Sequence, residues 1–229
     1  MLNGGPFTGY VGDDLLYPIA DVLSPETLND FTPSFIENAS VDGTQYGAPM
    51  IASARALFMN TDLMEQAGLT EAPTTWEELK EASQKVSETG VAGYGMPLGS
   101  EEAQAEAATW FYGGGGGFGN ASEITVDTPE NLEAAEFMRS MIDDGDTQPD
   151  PGATNRSPLM DVFIQGEIGF QVGLPPTVGQ IEESNPDLNY EIAPIPTKDG
   201  SSFTLGVADH LMAFRNDDDK AEAIKAFLD

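Results

Sequence analysis

Tyr10, Arg55, Trp110, Tyr112, Pro175-Pro176, Asp209 and His210 fall near the ends of predicted elements. They offer flat apolar surfaces together with a few polar groups, the mixture that builds small-molecule pockets. Sugars suit it, because their C–H faces lie on aromatic rings while their hydroxyls meet Arg and carboxylates. The structural alternatives stay open from sequence. Trp110 and Tyr112 fit a core equally well, and Arg55 fits an ordinary strand arginine reaching solvent or a carboxylate. Other chemistries fare worse. The glycine run Gly113 to Gly117 follows a helix and lacks a succeeding Gly-Lys-Ser/Thr, so it reads as a turn and not a phosphate loop. With one histidine and no cysteine, a zinc site finds too few ligands. Asp143-Asp144-Gly145-Asp146 and Asp217-Asp218-Asp219 miss the calcium-loop spacing and read as a helix end and a helix start. His210 has no Gly-x-Ser-x-Gly elbow to serve and reads as structural. Neither a metal nor another cofactor is expected. The 39 acidic residues always supply carboxylate pairs, so glycoside hydrolysis stays open without being favoured.

Those 39 acids face 9 basic residues, a net charge of −30. A basic groove for nucleic acid is therefore excluded. The acids are spread along the chain and repel one another, and salt screens such repulsion, the Debye length falling to roughly 3 Å at 1 M. The composition reads as halophilic. The 229 residues, 40% hydrophobic, suffice for one large or two modest domains. There is no apolar run long enough to span a membrane, and Met1-Leu2-Asn3-Gly4-Gly5 has neither the basic region nor the apolar core of a signal peptide.

The elements follow from periodicity and punctuation. Residues 1–14 read as a loop and 30–39 as a short helix. Residues 46–62 form an extended segment leaving one packed unit for another, with Arg55 among small and apolar neighbours. Thr75 and Glu78 make a capping box for a helix carrying Trp76, Leu79, Ala82 and Val86 on one face. A strand over 91–98, a helix over 101–112 and a short strand over 124–126 come next. Thr128-Pro129 opens a helix with Leu132, Ala135, Met138 and Ile142 inward. Ser157-Pro158 opens another, with Leu159, Val162 and Phe163 inward. A buried strand over 168–173, a helix over 177–183 and a strand over 190–195 follow. Strands over 203–207 and 211–214 flank Asp209-His210, and a last helix starts at Asn216. Helices alternating with short apolar strands predict an α/β fold.

The order of motifs resembles the extracellular solute-binding proteins of family 1, the maltose-binding-protein-like receptors of ABC importers. Tyr46-Gly47-Ala48-Pro49 with Arg55-Ala56-Leu57-Phe58-Met59-Asn60-Thr61-Asp62-Leu63 carries it first. Ala67-Gly68-Leu69 and Pro73-Thr74-Thr75-Trp76-Glu77-Glu78-Leu79 follow. Gly166-Glu167-Ile168-Gly169-Phe170 comes next, with Pro175 and Val178-Gly179-Gln180. Asn185-Pro186-Asp187, Ala193-Pro194-Ile195-Pro196 and Leu205-Gly206 close the set. Pro176 stands where the family often has Trp.

The resemblance implies a type II periplasmic-binding-protein-like α/β fold of two lobes joined by hinge strands, with a sugar or polyol held in the cleft and no reaction catalysed. Residues 1–49 would be part of lobe 1, 50–196 lobe 2, and 197–229 the return to lobe 1. Pro49, Met50 and Pro196 are the expected hinge residues, and Tyr10, Arg55, Glu102, Trp110, Tyr112, Pro176, Asp209 and His210 the expected ligand-binding set. A monomer that docks on a membrane permease, outside the cell and lipid-anchored in its full-length form, is implied as well. Full-length members are longer, so this sequence is expected to be a fragment with an incomplete first lobe. The alternatives are a carbohydrate-active hydrolase with an Asp/Glu pair and a cell-surface module without a small ligand.

Overall fold

A computed structural model describes residues 4–101, 103–119, 123–215 and 220–228. The chain forms two compact units, residues 1–53 with 206–229, and residues 54–205.

The first unit opens with α1 (Gly4–Gly12), α2 (Pro25–Asp30) and α3 (Pro33–Glu37). A small hairpin of β1 (Ser40–Val41) and β2 (Thr44–Gln45) leads into β3 (Gly47–Ala54). Where a loop was expected over residues 1–14, α1 forms, because Phe7 is buried and the Tyr10 ring meets Phe214 edge-on at 5.3 Å. Tertiary contacts outweigh the helix cost of its glycines. The single helix expected over 30–39 is instead split. Ser24 caps α2 through the Thr27 N–H at 3.3 Å. Pro33 then forces Thr32 into extended backbone before α3 can begin.

The second unit begins with β4 (Ala56–Asn60) and α4 (Thr61–Gln66), joined by the buried Asn60, whose Oδ1 accepts from the Leu63 N–H at 3.1 Å. Next come α5 (Trp76–Ser87), β5 (Ala92–Gly95), α6 (Ala103–Gly113), α7 (Pro129–Asp143), α8 (Arg156–Ile164), β6 (Ile168–Gly173), α9 (Pro176–Ser184) and β7 (Tyr190–Ala193). The four strands form one sheet in the order β5-β6-β4-β7. β5 and β6 are parallel, and β4 runs antiparallel to both β6 and β7. Alternation along β4 splits the core. Leu57 and Met59 join Trp76, Leu79, Trp110, Met138 and Phe170 on one face, and Phe58 joins Leu159, Phe163 and Ile181 on the other. At Gly93 a side chain would collide with the backbone of Ser83, so α5 can lie directly on β5.

The capping box forms as expected. Glu78 Oε2 accepts from the Thr74 and Thr75 N–H groups and the Thr74 hydroxyl. Those donors hold the exposed Glu78 carboxyl below the ordinary glutamate value. A depressed folded value means the stabilisation is complete above the ordinary range and is lost as pH falls through the lowered one. Glu78→Gln is therefore expected to destabilise at neutral pH, with the deficit vanishing under acid, as urea unfolding across pH would record.

Other local expectations shift. Asn131 turns inward in α7 because its side chain clasps the glycine loop. Its Nδ2 donates to the carbonyls of Gly117 and Val126 at 2.7 and 2.8 Å, and its Oδ1 accepts from the Gly117 N–H at 2.9 Å. The buried stripe is consequently Ala134, Met138 and Met141, and Leu132 is 60% exposed. Residues 124–126 form no strand; Ile124 makes one bridge to Gly119. In α8 Met160 packs inward and Val162 lies at the surface.

In the first unit, the chain continues with β8 (Gly206–Met212) and α10 (Ala221–Leu228). β8 runs unbroken through Asp209-His210, where two strands were expected, because it pairs with β3. Ile19, Val22, Leu23, Ala48 and Ala213 form the core here. Phe227 of α10 is exposed. The expected helix start at Asn216 and the run Asp217-Asp218-Asp219 lie outside the described residues.

Candidate functional site

The sheet register gathers one edge of the second unit. Ala56 faces Gly173, Leu57 faces Ala193, and Gly95 pairs with Gln171. The carboxyl ends of β5, β6 and β7 therefore meet the amino end of β4 at a single edge. In open α/β sheets this is the edge where ligands bind. Immediately ahead of Ala56, Arg55 brings a guanidinium to it. Its main chain is fixed by the Leu205 carbonyl, 3.3 Å from the Arg55 N–H, and by the Thr204 hydroxyl, which donates to the Arg55 carbonyl at 2.7 Å.

Helix α6 crosses this edge. It starts past β5, where the Ala103 N–H donates to the Gly99 carbonyl at 3.2 Å. It ends past β7, where the Lys198 N–H donates to the Gly113 carbonyl at 3.0 Å. Its 11 residues span about 16 Å at 1.5 Å each, against roughly 14 Å for three strand spacings. The loop ahead of α6 is tied to α8: the Ser157 hydroxyl donates to Glu101 Oε1 at 2.7 Å and its N–H to Oε2 at 3.2 Å.

Glu106 enters from the buried face of α6. Tyr94 Oη and Trp110 Nε1 both donate to its Oε1, at 2.8 and 2.9 Å. Burial pushes the Glu106 carboxyl above the ordinary glutamate value, while those two donors and the Arg55 charge pull it back. Burial, and then Glu106, push the Tyr94 phenol well up. Arg55 and Glu106 are each only 5% exposed.

The expected site residues divide between the two units. Trp110 donates to Glu106, whose carboxyl also feels the Arg55 charge, the weakest of the influences on it. Trp110, 3% exposed, packs on Trp76 and Tyr94 beside a void of about 10 Å³, room for one water and nothing larger. Tyr112 lies in the last turn of α6, two residues past Trp110, against a hollow of about 230 Å³ walled by the glycine loop, Thr125 and Thr128. That is below the ~300–1,000 Å³ of ordinary ligand pockets. Pro176 opens α9 just beyond β6, and Pro196 follows β7. Tyr10, Asp209 and His210 belong to the first unit, as do Pro49 and Met50 of β3. His210 Nε2 sits 2.9 Å from the Phe35 carbonyl and so carries the proton there. Glu102 lies outside the described residues. Among the described residues, no group of three or more acids or histidines is placed to hold a metal. Asp143 pairs with Arg139 and Asp144 with Lys80.

Sequence reasoning missed Glu106, Tyr94 and Gln171. The available signal for Glu106 was an acid four residues before a tryptophan on an alanine-rich helix. For Gln171 it was one amide inside an otherwise apolar strand. Gln171 is fully buried, and neither of its amide atoms has a partner among the described residues.

Comparison with known proteins assigns the chain. Residues 2–229 match the family model described as bacterial extracellular solute-binding protein. A Brucella abortus (strain 2308) protein described only as a binding protein is 35% identical over 228 residues, 94% of this chain and 54% of its own length. The arabinooligosaccharide-binding protein of Bacillus subtilis (strain 168) is 25% identical over 228 residues, 95% of this chain and 51% of its own length. Among solved structures, an ABC transporter solute-binding protein from Thermotoga lettingae bound with α-D-tagatose superposes with a TM-score of 0.82 at 22% identity, over 98% of this chain and 60% of its own. That likeness places the fold among the type II periplasmic-binding-protein-like folds. The chain spans about half the length of the curated relatives it matches. No helix among the described residues is long and apolar enough to cross a membrane. On the strength of a family match across nearly its whole length, the chain belongs to the bacterial extracellular solute-binding proteins.

Proposed function

We propose that this chain is part of an ABC-importer receptor that binds a neutral sugar or oligosaccharide outside the cell and presents it to a membrane permease. The observation that carries the reading is Arg55 at the carboxyl edge of the sheet in a chain of this family. An arginine in that position offers a rigid fork of N–H donors to hydroxyl groups. The sugar ligands in the names of two similar proteins support it. The acidic surface favours a neutral solute over an anion and suits a salt-rich setting. Among the described residues, nothing at the strand edge favours glycoside hydrolysis over binding.

The test is a thermal-shift screen of mono- and oligosaccharides and polyols in high salt, on this chain and on any longer protein that contains it. A ligand at about 100 times its Kd is expected to add roughly 2.7 kcal/mol of stability. Arg55→Ala is expected to weaken binding at least tenfold, measured by calorimetry on the folded fraction. If no sugar or polyol raises the melting temperature of either form, the reading fails. A binding loss no larger than the folding loss would make Arg55 structural.

A further inference from the structure

We propose that Glu101 is a positioning residue of the strand edge: it caps α8 in place of that helix's own N-cap residue and so fixes the segment over residues 96–101 for an incoming solute. The inference rests on the sugar-binding reading above.

Residues 96–101 leave the carboxyl end of β5, on the side of an open α/β sheet where ligands bind. Step by step, this segment is stitched to residues 148–157. Met96 exchanges two hydrogen bonds with the buried Gln148 side chain, at 2.9 and 2.8 Å. The Leu98 N–H donates to the Pro151 carbonyl at 3.0 Å, and the Gly99 N–H to the Thr154 carbonyl at 2.8 Å. Glycine permits that approach, because a Cβ at position 99 would lie 2.4 Å from Asn155 Oδ1 and 2.7 Å from the Thr154 carbonyl oxygen. The last stitch reverses the usual capping. Asn155 holds the N-cap position of α8, but its side chain makes no cap bond to its own helix. Its Oδ1 accepts instead from the Glu101 N–H at 3.1 Å. Pro158, third in the helix, has no N–H to offer, so the Ser157 N–H is the donor left for a cap. Glu101 takes it: Oε2 accepts from that N–H at 3.2 Å, and Oε1 from the Ser157 hydroxyl at 2.7 Å. Arg156 adds an ion pair to Oε1 at 3.7 Å. A carboxylate at a helix N-terminus is further favoured by the helix dipole. The Ser157 hydroxyl, and then its N–H, hold the Glu101 carboxyl below the ordinary glutamate value, so the cap is an anion at neutral pH. Clamped in this way, the segment and the start of α8 move as one body. A solute then meets groups already in place, and affinity rises because less ordering remains to be done on binding.

The experiment joins amide hydrogen exchange, read by NMR, to titration calorimetry with maltose, both on the whole chain at pH 7. In Glu101→Ala the amides of Leu98, Gly99 and Ser157 are expected to exchange at least tenfold faster than in wild type, while those of β6 keep their rates. Maltose is expected to bind that variant at least tenfold more weakly. Glu101→Gln keeps an oxygen acceptor for Ser157 and is expected to restore affinity to within threefold of wild type. Ser157→Ala is expected to weaken binding as well, and the Glu101→Ala, Ser157→Ala double variant to bind no more weakly than Glu101→Ala alone, because both act through one contact. Unchanged exchange at Leu98, Gly99 and Ser157 in Glu101→Ala would overturn the inference. So would faster exchange there with maltose affinity unchanged, or β6 amides speeding up to the same degree, which would make the loss one of the whole fold. Should maltose fail to bind wild type, the sugar reading is weakened; the exchange rates then decide alone whether Glu101 fixes the segment.

Discussion

Replacing Trp110 by alanine is expected to cost about 3–5 kcal/mol of unfolding free energy, the range for a large aromatic removed from a packed core. Trp110 packs within 6 Å, centroid to centroid, of three rings: Trp76 at 5.5 Å, Phe137 at 5.7 Å and Tyr94 at 5.7 Å. These rings come from α5, α7 and β5, so one side chain ties three elements to α6. The neighbouring void is only about 10 Å³, and rings anchored on separate elements relax poorly into the space an indole leaves. Trp110→Phe restores much of the volume but leaves Glu106 one donor short, so about 1–2 kcal/mol is expected from it. Urea unfolding followed by far-UV circular dichroism checks both. A loss under 1 kcal/mol for the alanine variant would show that the aromatic cluster does not hold the unit together.

Glu106→Ala is expected to rival it, at about 2–6 kcal/mol. Two buried donors, the Tyr94 hydroxyl and the Trp110 indole, lose their acceptor together, and each unsatisfied group costs about 1–3 kcal/mol. Arg55 loses a nearby opposite charge as well. Glu106→Gln retains an acceptor oxygen and should cost much less than the alanine change. Its pH dependence has a definite sign. Burial raises the Glu106 value in the folded protein, so the folded state holds the proton more tightly than the unfolded chain. The stability this confers on wild type is fully present below the ordinary glutamate value and is lost as pH rises through the raised one. Glutamine does not titrate there, so Glu106→Gln should gain on wild type as pH climbs through that window. A constant difference between the two across pH would mean that Glu106 has an ordinary carboxylate value in the folded state. The Trp110 and Glu106 changes share partners, so their costs will not add, and the shortfall of the double variant measures their coupling.

Local periodicity and capping determined much of this protein. Thr75 and Glu78 announced a helix, and the structure supplies both halves of the capping box. The run from Ile168 to Gly173, apolar but for Gln171, became a fully buried strand. Motif order resembled a family, and the family match bears that out. Each of these signals lies within about a dozen residues or in a fixed sequence of short words, so neighbouring side chains are enough to carry it.

Tertiary structure decided what local pattern could not. The helix Gly4–Gly12 forms with Phe7 buried and with the Tyr10 ring against Phe214, far along the sequence. In α7 the buried positions moved from Leu132, Ala135 and Ile142 to Asn131, Ala134 and Met141, with Met138 kept, as Asn131 took hold of the glycine loop. Arg55 could be read from sequence as solvent-facing or paired. It is buried, in the field of a glutamate 51 positions later in the chain, at an edge where strand register and a crossing helix meet. Neither residue type changes with the fold; their burial does, and only the tertiary structure decides it.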